Sequence, residues 1–268
     1  MLWYATALTQ GDTMAAAYQI YGEGAPLILL HAFPLHHRMW EPQIAVLGHR
    51  YQIIAVDYAG FGRSHWEPLD SVVPAIEQVA HGILDILDQL DLESVAMAGC
   101  SMGSYMALAL YRLAPQRFNR IALCNARASG DDDATQAART RNAAIARTEG
   151  VEPIADMLLP RLLSAHVGAG IRRYVHTMAL EASAETVAQG LEMIRDRPDC
   201  RDLLSRMTIP TLVVGATDDP IMPVHESIAL AKELPNSQTL IMQDCGHLSN
   251  IEQPKVFNDA LIAWMQRP

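Results

Sequence analysis

The chain has 268 residues, half of them hydrophobic at 50%, which suffices for one large domain with an insertion and a sizeable core. A formal net charge of −10 argues against a general nucleic-acid binder, because phosphate contacts need clustered positive charge. No run approaches the roughly 20 apolar residues of a membrane span, and Met1-Leu2-Trp3-Tyr4-Ala5 lacks a basic region ahead of an apolar stretch, so a soluble, cytoplasmic protein is expected.

In chain order, Pro26 to His31 and Tyr51 to Asp57 read as strands, and Ile76, Val79, Ala80, Ile83, Leu87 and Leu90 recur at helical spacing. Ser94 to Gly99 and Arg120 to Cys124 read as further strands. A mostly apolar helix from Ser101 to Ala114 lies between them, closed by Pro115. This alternation predicts βαβ units and a mainly parallel sheet. From 129 to 201 the periods are helical only, with stripes at Ile171, Tyr174, Val175, Met178 and Ala179 and at Val187, Leu191 and Ile194. Ser129-Gly130-Asp131-Asp132-Asp133 reads as a solvated hinge into this block and Asp196-Arg197-Pro198-Asp199 as its exit. The predicted organisation is an α/β core of residues 1–128 and 202–268 with a helical cap of residues 129–201. The sheet resumes with Thr211 to Gly215 and Thr239 to Met242. A closing helix follows, with Phe257, Ala260, Leu261, Trp264 and Met265 on one face. Cys100, Cys124, Cys200 and Cys245 have neither disulfide-motif nor zinc-like spacing and read as buried free thiols.

Gly99-Cys100-Ser101-Met102-Gly103 falls between a strand and a helix, the context in which G-x-S-x-G is a nucleophile elbow. Ser101 then sits at a sharp turn beside a helix N-terminus, where free N–H groups favour developing negative charge. A serine hydroxyl needs a base, and the base needs an orienting acid. His247 follows a strand-like run, in Asp244-Cys245-Gly246-His247-Leu248, at the end of the sheet where open α/β folds bind ligands. His225 lies in what reads as a helix and is expected to be a surface histidine. Gly215-Ala216-Thr217-Asp218-Asp219-Pro220 also follows a strand, and either aspartate fits the acid's place, the other capping the next turn. The backbone N–H groups of Met102 and of Phe33, in His31-Ala32-Phe33-Pro34, are the candidate oxyanion donors. Asp57-Tyr58-Ala59-Gly60-Phe61-Gly62-Arg63-Ser64 has neither Walker nor dinucleotide spacing and reads as a structural turn.

These segments together resemble the α/β-hydrolase superfamily. The resemblance runs from about Tyr18 to Trp264 and rests on His31-Ala32-Phe33-Pro34 with Met39-Trp40, the Asp57 to Ser64 turn, the elbow, Asp219-Pro220-Ile221-Met222-Pro223, and Gly246 to Pro254. Within it the chain is most similar to the small capped enzymes around β-ketoadipate enol-lactonase, to carboxylesterases and to cofactor-free haloperoxidase-like esterases. The resemblance implies an α/β-hydrolase fold with an inserted cap and a serine hydrolase acting on a carboxylic ester or lactone. Ser101, Asp219 and His247 would be the triad, Phe33 and Met102 the oxyanion hole, and Phe33, Leu35 and Met102 an apolar floor for substrate. Relatives place the acid four residues before the proline of this loop, favouring Asp219, whereas counting forward from Gly215 favours Asp218. Ala32 replaces the usual glycine of the oxyanion segment, and Cys100 stands where histidine is common. No residue marks a metal or an organic cofactor.

Ser101 at the elbow excludes a haloalkane dehalogenase, which needs a carboxylate there. Other uses of the same fold are a C–C bond hydrolase, a peptidase holding an N-terminal ammonium on Glu149, Glu152 or Glu181, and a non-catalytic ligand-binding member. An esterase or thioesterase could also dock an acyl-carrier protein on Arg139, Arg141, Arg147, Arg172 and Arg173.

Overall fold

Alternation along the central strands gives each of them two apolar faces, and the sheet is buried between them. In a computed structural model, which describes residues 9–12, 16–65 and 75–267, the strands are β1 (Thr9–Asp12), β2 (Ala16–Tyr21), β3 (Ala25–Leu30), β4 (Tyr51–Tyr58), β5 (Val95–Cys100), β6 (Phe118–Cys124), β7 (Thr211–Ala216) and β8 (Ser237–Met242). They form one sheet in the order β1-β2-β4-β3-β5-β6-β7-β8. The β1–β2 and β2–β4 pairs are antiparallel, and every other pair is parallel. Ile28, Leu30, Ile54, Val56, Val95 and Met97 face one core, while Leu27, Leu29, Ile53, Ala55, Ala96 and Ala98 face the other. The period-two side-chain direction of a strand sorts them.

The helices are α1 (Glu41–Leu47), α2 (Ala75–Gln89), α3 (Met102–Leu113), α4 (Asp133–Glu149), α5 (Glu152–Leu162), α6 (Ala169–Ala179), α7 (Ala184–Arg195), α8 (Arg201–Leu204), α9 (Val224–Glu233), α10 (Ser249–Glu252) and α11 (Pro254–Met265). Helices α2, α3 and α9 pack on the first core; α1 and α11 pack on the second, where Phe257, Leu261 and Trp264 are buried. Four helices, α4 to α7, intervene between β6 and β7 before the short α8. Val187, Leu191 and Ile194 of α7 join the first core, and Val175, Met178 and Ala179 of α6 join the second. Among the described residues no helix is long and apolar enough to cross a membrane. The Met1–Ala5 stretch lies outside the described residues.

Strands β1 and β2 have no counterpart in the sequence reading. Every residue of β2 is buried, so Ala16-Ala17-Tyr18-Gln19-Ile20-Tyr21 shows no alternation of polarity. The segment 129–133 is not simply solvated either. The Asp131 carboxylate is fully buried and pairs with Arg139, with Arg127 at 3.0 Å and with Arg197 at 2.7 Å. Burial alone would push this carboxyl up, but the Arg139 and Arg197 bonds and charges hold it below its ordinary value. Arg197, from the exit segment, also donates to the Ser129 carbonyl at 2.9 Å and lies 4.0 Å from the centre of the Tyr105 ring on α3. The start and end of the helical block are thereby pinned together on the helix that follows Ser101.

Candidate active site

Strands β5, β6, β7 and β8 lie side by side and parallel, so the loops leaving their C-terminal ends converge on one edge of the sheet. Ser101 leaves β5 with φ 53° and ψ −114°, outside the regions a non-glycine residue prefers, and stands at the N-cap of α3. Its N–H donates to the Cys124 carbonyl at 2.8 Å, and its own carbonyl accepts from Ser104 and Tyr105. The turn is tight: a Cβ on Gly103 would collide with the Leu30 carbonyl, and one on Gly99 with the Gly103 carbonyl. Ser104, which the sequence reading passed over, staples the corner. Its hydroxyl donates to the Gly99 carbonyl at 2.8 Å and accepts from the Cys124 N–H at 3.0 Å.

His247 and Asp219 form a buried pair, with Nδ1 2.7 Å from Oδ2. Oδ1 of Asp219 accepts the N–H groups of Ile221 at 2.9 Å and Met222 at 2.8 Å, and Oδ2 also accepts from Asn125 Nδ2 at 3.0 Å. Burial would raise this carboxyl, yet the His247 charge and bond, the Met222 N–H and the Asn125 amide hold it below the usual carboxylate value. An ionised acid facing Nδ1 fixes the tautomer, with Nδ1 the donor and Nε2 left as an acceptor. Asp218 is exposed and accepts from its neighbour Thr217 Oγ1 at 3.0 Å. Of the two candidate acids, the structure brings Asp219 to His247. His225 is exposed on α9.

Cys100 is buried beside this pair, its Sγ 3.9 Å from the His247 carbonyl, and burial pushes its thiol well up. Among the described residues the Ser101 hydroxyl makes no hydrogen bond to His247. All four cysteines are free and buried.

The N–H groups of Phe33 and Met102 donate to no acceptor among the described residues, although Phe33 is 7% exposed and Met102 0%. Unpartnered N–H donors in residues this little exposed are uncommon. The Phe33 loop is held from below. His31 stacks on Tyr58 at 4.0 Å, and its Nε2 accepts the Tyr58 N–H at 3.3 Å. Burial pushes its imidazole down to about 4. The Phe33 ring meets Phe61 edge to face, with centroids 6.3 Å apart. Gly190 of α7 lies against both rings, so the helical block covers this loop. Leu35 is fully buried in the other core, with Cys100 and Leu248.

His36, His37 and Asp57 bring three potential metal-ligand atoms within 4.8 Å of one another. Those atoms are already engaged. His37 Nδ1 lies 2.7 Å from Asp57 Oδ2 and His37 Nε2 lies 2.7 Å from Gln19 Nε2, while His36 Nε2 pairs with Glu181 at 3.0 Å. The Asp57 turn closes on itself as well, its carboxylate accepting the Arg63 N–H at 2.9 Å. Glu181, a candidate ammonium binder, is thus tied to the Phe33 loop. Of the arginines considered for docking, Arg139 is held by Asp131, Arg147 by Glu185 and Glu192, and Arg172 by the Ser164 carbonyl.

The sequence profile of the Alpha/beta hydrolase family matches residues 27–260, and the chain belongs to that family. It is an α/β-fold hydrolase. It is 30% identical over 267 residues to 3-oxoadipate enol-lactonase 2 of Acinetobacter baylyi, covering 97% of this chain and 96% of that protein. Among solved structures it is similar to a thermophilic esterase from Thermogutta terrifontis, at TM-score 0.91 and 31% identity, over 96% of this chain and 98% of the other. The enol-lactonase from Burkholderia xenovorans superposes at TM-score 0.86 and 26% identity, with the same coverages of 96% and 98%.

Proposed function

We propose that the protein is a serine hydrolase that cleaves a small carboxylic ester or lactone through an acyl-enzyme. The observation that carries this reading is the buried Asp219–His247 pair, with an ionised acid on Nδ1, set on the same sheet edge as a strained elbow serine. Ser101 Oγ attacks the carbonyl carbon while His247 Nε2 takes its proton. The carbonyl oxygen becomes an oxyanion that accepts from the Phe33 and Met102 N–H groups, each worth about 2.7–4 kcal/mol in the transition state. Collapse breaks the C–O bond, and His247 returns the proton to the leaving oxygen. For a lactone that oxygen stays on the acyl chain. Water, deprotonated by His247, then attacks the acyl-enzyme and releases Ser101. Asp219 stabilises the imidazolium throughout without taking its proton. Phe33 and Met102 supply apolar surface beneath the acyl group, and the helices of 129–201 select it; Leu35 is packed in the other core and does not join that floor.

The relatives named as enol-lactonase and esterase support the ester or lactone class. Docking of an acyl-carrier protein has weaker support, because Arg139, Arg147 and Arg172 are engaged within the protein. The test is mass spectrometry after a fluorophosphonate probe, with p-nitrophenyl esters and small lactones assayed in parallel. A single adduct on Ser101, lost together with turnover in folded Ser101→Ala, is the expected result. Retained turnover in that variant would sink the mechanism.

A further inference from the structure

Asn125 directly follows β6 with its backbone in the left-handed region at φ 50°, its N–H donating to the Val214 carbonyl at 2.8 Å. Asparagine tolerates that conformation, which alone would account for the residue type. Its side chain has a second set of bonds. Nδ2 donates to Asp219 Oδ2 at 3.0 Å, and Oδ1 accepts from Ser249 Oγ at 2.6 Å. An ionised carboxylate only accepts, so the NH2 end must face Asp219, and the carbonyl end is left for the serine hydroxyl.

Asn125 and Ser249 are 0% exposed and Asp219 4%, so none of the three exchanges its partner for water. Asp219 comes from the loop after β7 and His247 from the loop after β8, with Ser249 two positions beyond His247. Strand β6 lies between β5, which carries Ser101, and β7. One side chain from this intermediate strand therefore grips both loops that form the acid–base pair.

We infer that Asn125 is a positioning residue for the Asp219–His247 pair. It fixes Oδ2 of Asp219 in line with His247 Nδ1 and, through Ser249, fixes the loop that carries the histidine. Its kinetic consequence rests on the serine-hydrolase reading; its geometric role does not. Without the Asn125 donor the carboxylate keeps the two N–H groups on Oδ1 but has only His247 on Oδ2, and that oxygen is held less firmly in the imidazole plane.

Asn125→Gly tests this, because glycine tolerates the left-handed backbone and removes both side-chain bonds. Three quantities are measured on the full chain: kcat, the acid limb of kcat/KM against pH with a p-nitrophenyl ester, and the downfield proton NMR signal of His247 Nδ1–H. The expected result is a fall in kcat of about tenfold, the worth of one hydrogen bond to a charged group. The acid limb moves up, because a carboxylate that has lost one donor holds its charge more fully against the imidazolium, and the proton signal shifts. Ser249→Ala loosens the Asn125 amide that donates to Asp219, moves the same readouts in the same direction by a smaller amount, and serves if the glycine variant does not fold. The other titratable groups against the pair are Cys100 and Cys245, with Glu252 behind them. Burial pushes both thiols up, Cys245 to about 12, and raises Glu252.

If both folded variants keep the wild-type kcat, limb and proton signal, the role of Asn125 is conformational only and the proposal is overturned. If the wild type turns over no ester or lactone and takes no fluorophosphonate on Ser101, but the proton signal moves in both variants, the serine-hydrolase reading fails and the positioning role stands.

Discussion

Asp218 and Asp219 are neighbours in sequence, and their surroundings separate them. Asp219 is inside, with four donors on its two oxygens, while Asp218 is exposed beside Thr217. Removing the charge of the first leaves His247 with the wrong tautomer and no counter-charge. Asp219→Asn is expected to lower kcat by about 10⁴-fold, whereas Asp218→Asn leaves it within about twofold, since exposed substitutions rarely matter by more than about 0.5 kcal/mol. Steady-state kinetics on one p-nitrophenyl ester checks both, and equal losses would mean that the acid is not Asp219. Two aspartates after a strand were visible in the sequence. The resemblance to relatives pointed to Asp219 and the count from Gly215 to Asp218; which one turns inward depends on the donors at Met222 and Asn125 and on His247 in the next loop.

At the scale of elements, the strand–turn–helix at Ser101 depends on the close approach of α3 to β3. Gly103→Ala puts a Cβ against the Leu30 carbonyl oxygen and 3.0 Å from that of His31. Neither backbone atom can rotate away, so α3 must shift and carry Ser101 and the Met102 N–H with it. The expected cost is about 1–3 kcal/mol of stability, typical of overpacking, together with at least a tenfold slower fluorophosphonate reaction at Ser101. Gly170→Ala is the control. It lies in α6 with nothing within 4 Å of its added Cβ, so it leaves the labelling rate unchanged and holds or slightly raises the melting temperature. A Gly103→Ala protein labelled at the wild-type rate would show that the elbow tolerates the shift. The glycines and the helix were legible from spacing. The contact with β3, which makes Gly103 obligatory, joins residues far apart in sequence and leaves no local pattern.

Over the whole molecule, buried titratable groups make the fold acid-sensitive with a defined sign. Burial holds His31 down to about 4, while an unfolded histidine titrates near 6.5. Between these values the unfolded chain binds a proton that the folded chain refuses, so stability falls as pH drops from about 6.5 towards 4. Asp57, Asp131 and Asp219 act at lower pH. Each has a depressed folded value, so each contributes stability above its unfolded value near 3.9 that is lost as pH falls through the folded one. The His31 step is worth about 2 kcal/mol between pH 7 and pH 5. Urea unfolding at the two pH values reads it, and His31→Asn is expected to flatten the difference. An unchanged difference in that variant would assign the acid sensitivity elsewhere.

By itself the sequence determined the layered α/β architecture, the helical block between two runs of strands, the strand–turn–helix at Ser101 and the loop of His247. Each is written locally, as a side-chain period, a glycine placement or a residue just beyond an apolar run. Only the tertiary structure decided the rest. It made β2 a fully buried strand whose alanines carry no alternation, turned an acidic stretch into the buried Asp131 with its three arginines, selected Asp219 over Asp218, and brought Asn125 and Ser249 to the acid and the histidine. In each case burial and hydrogen bonding between segments far apart in the chain set the outcome, and a carboxylate or an amide looks the same in sequence whether water or a partner satisfies it.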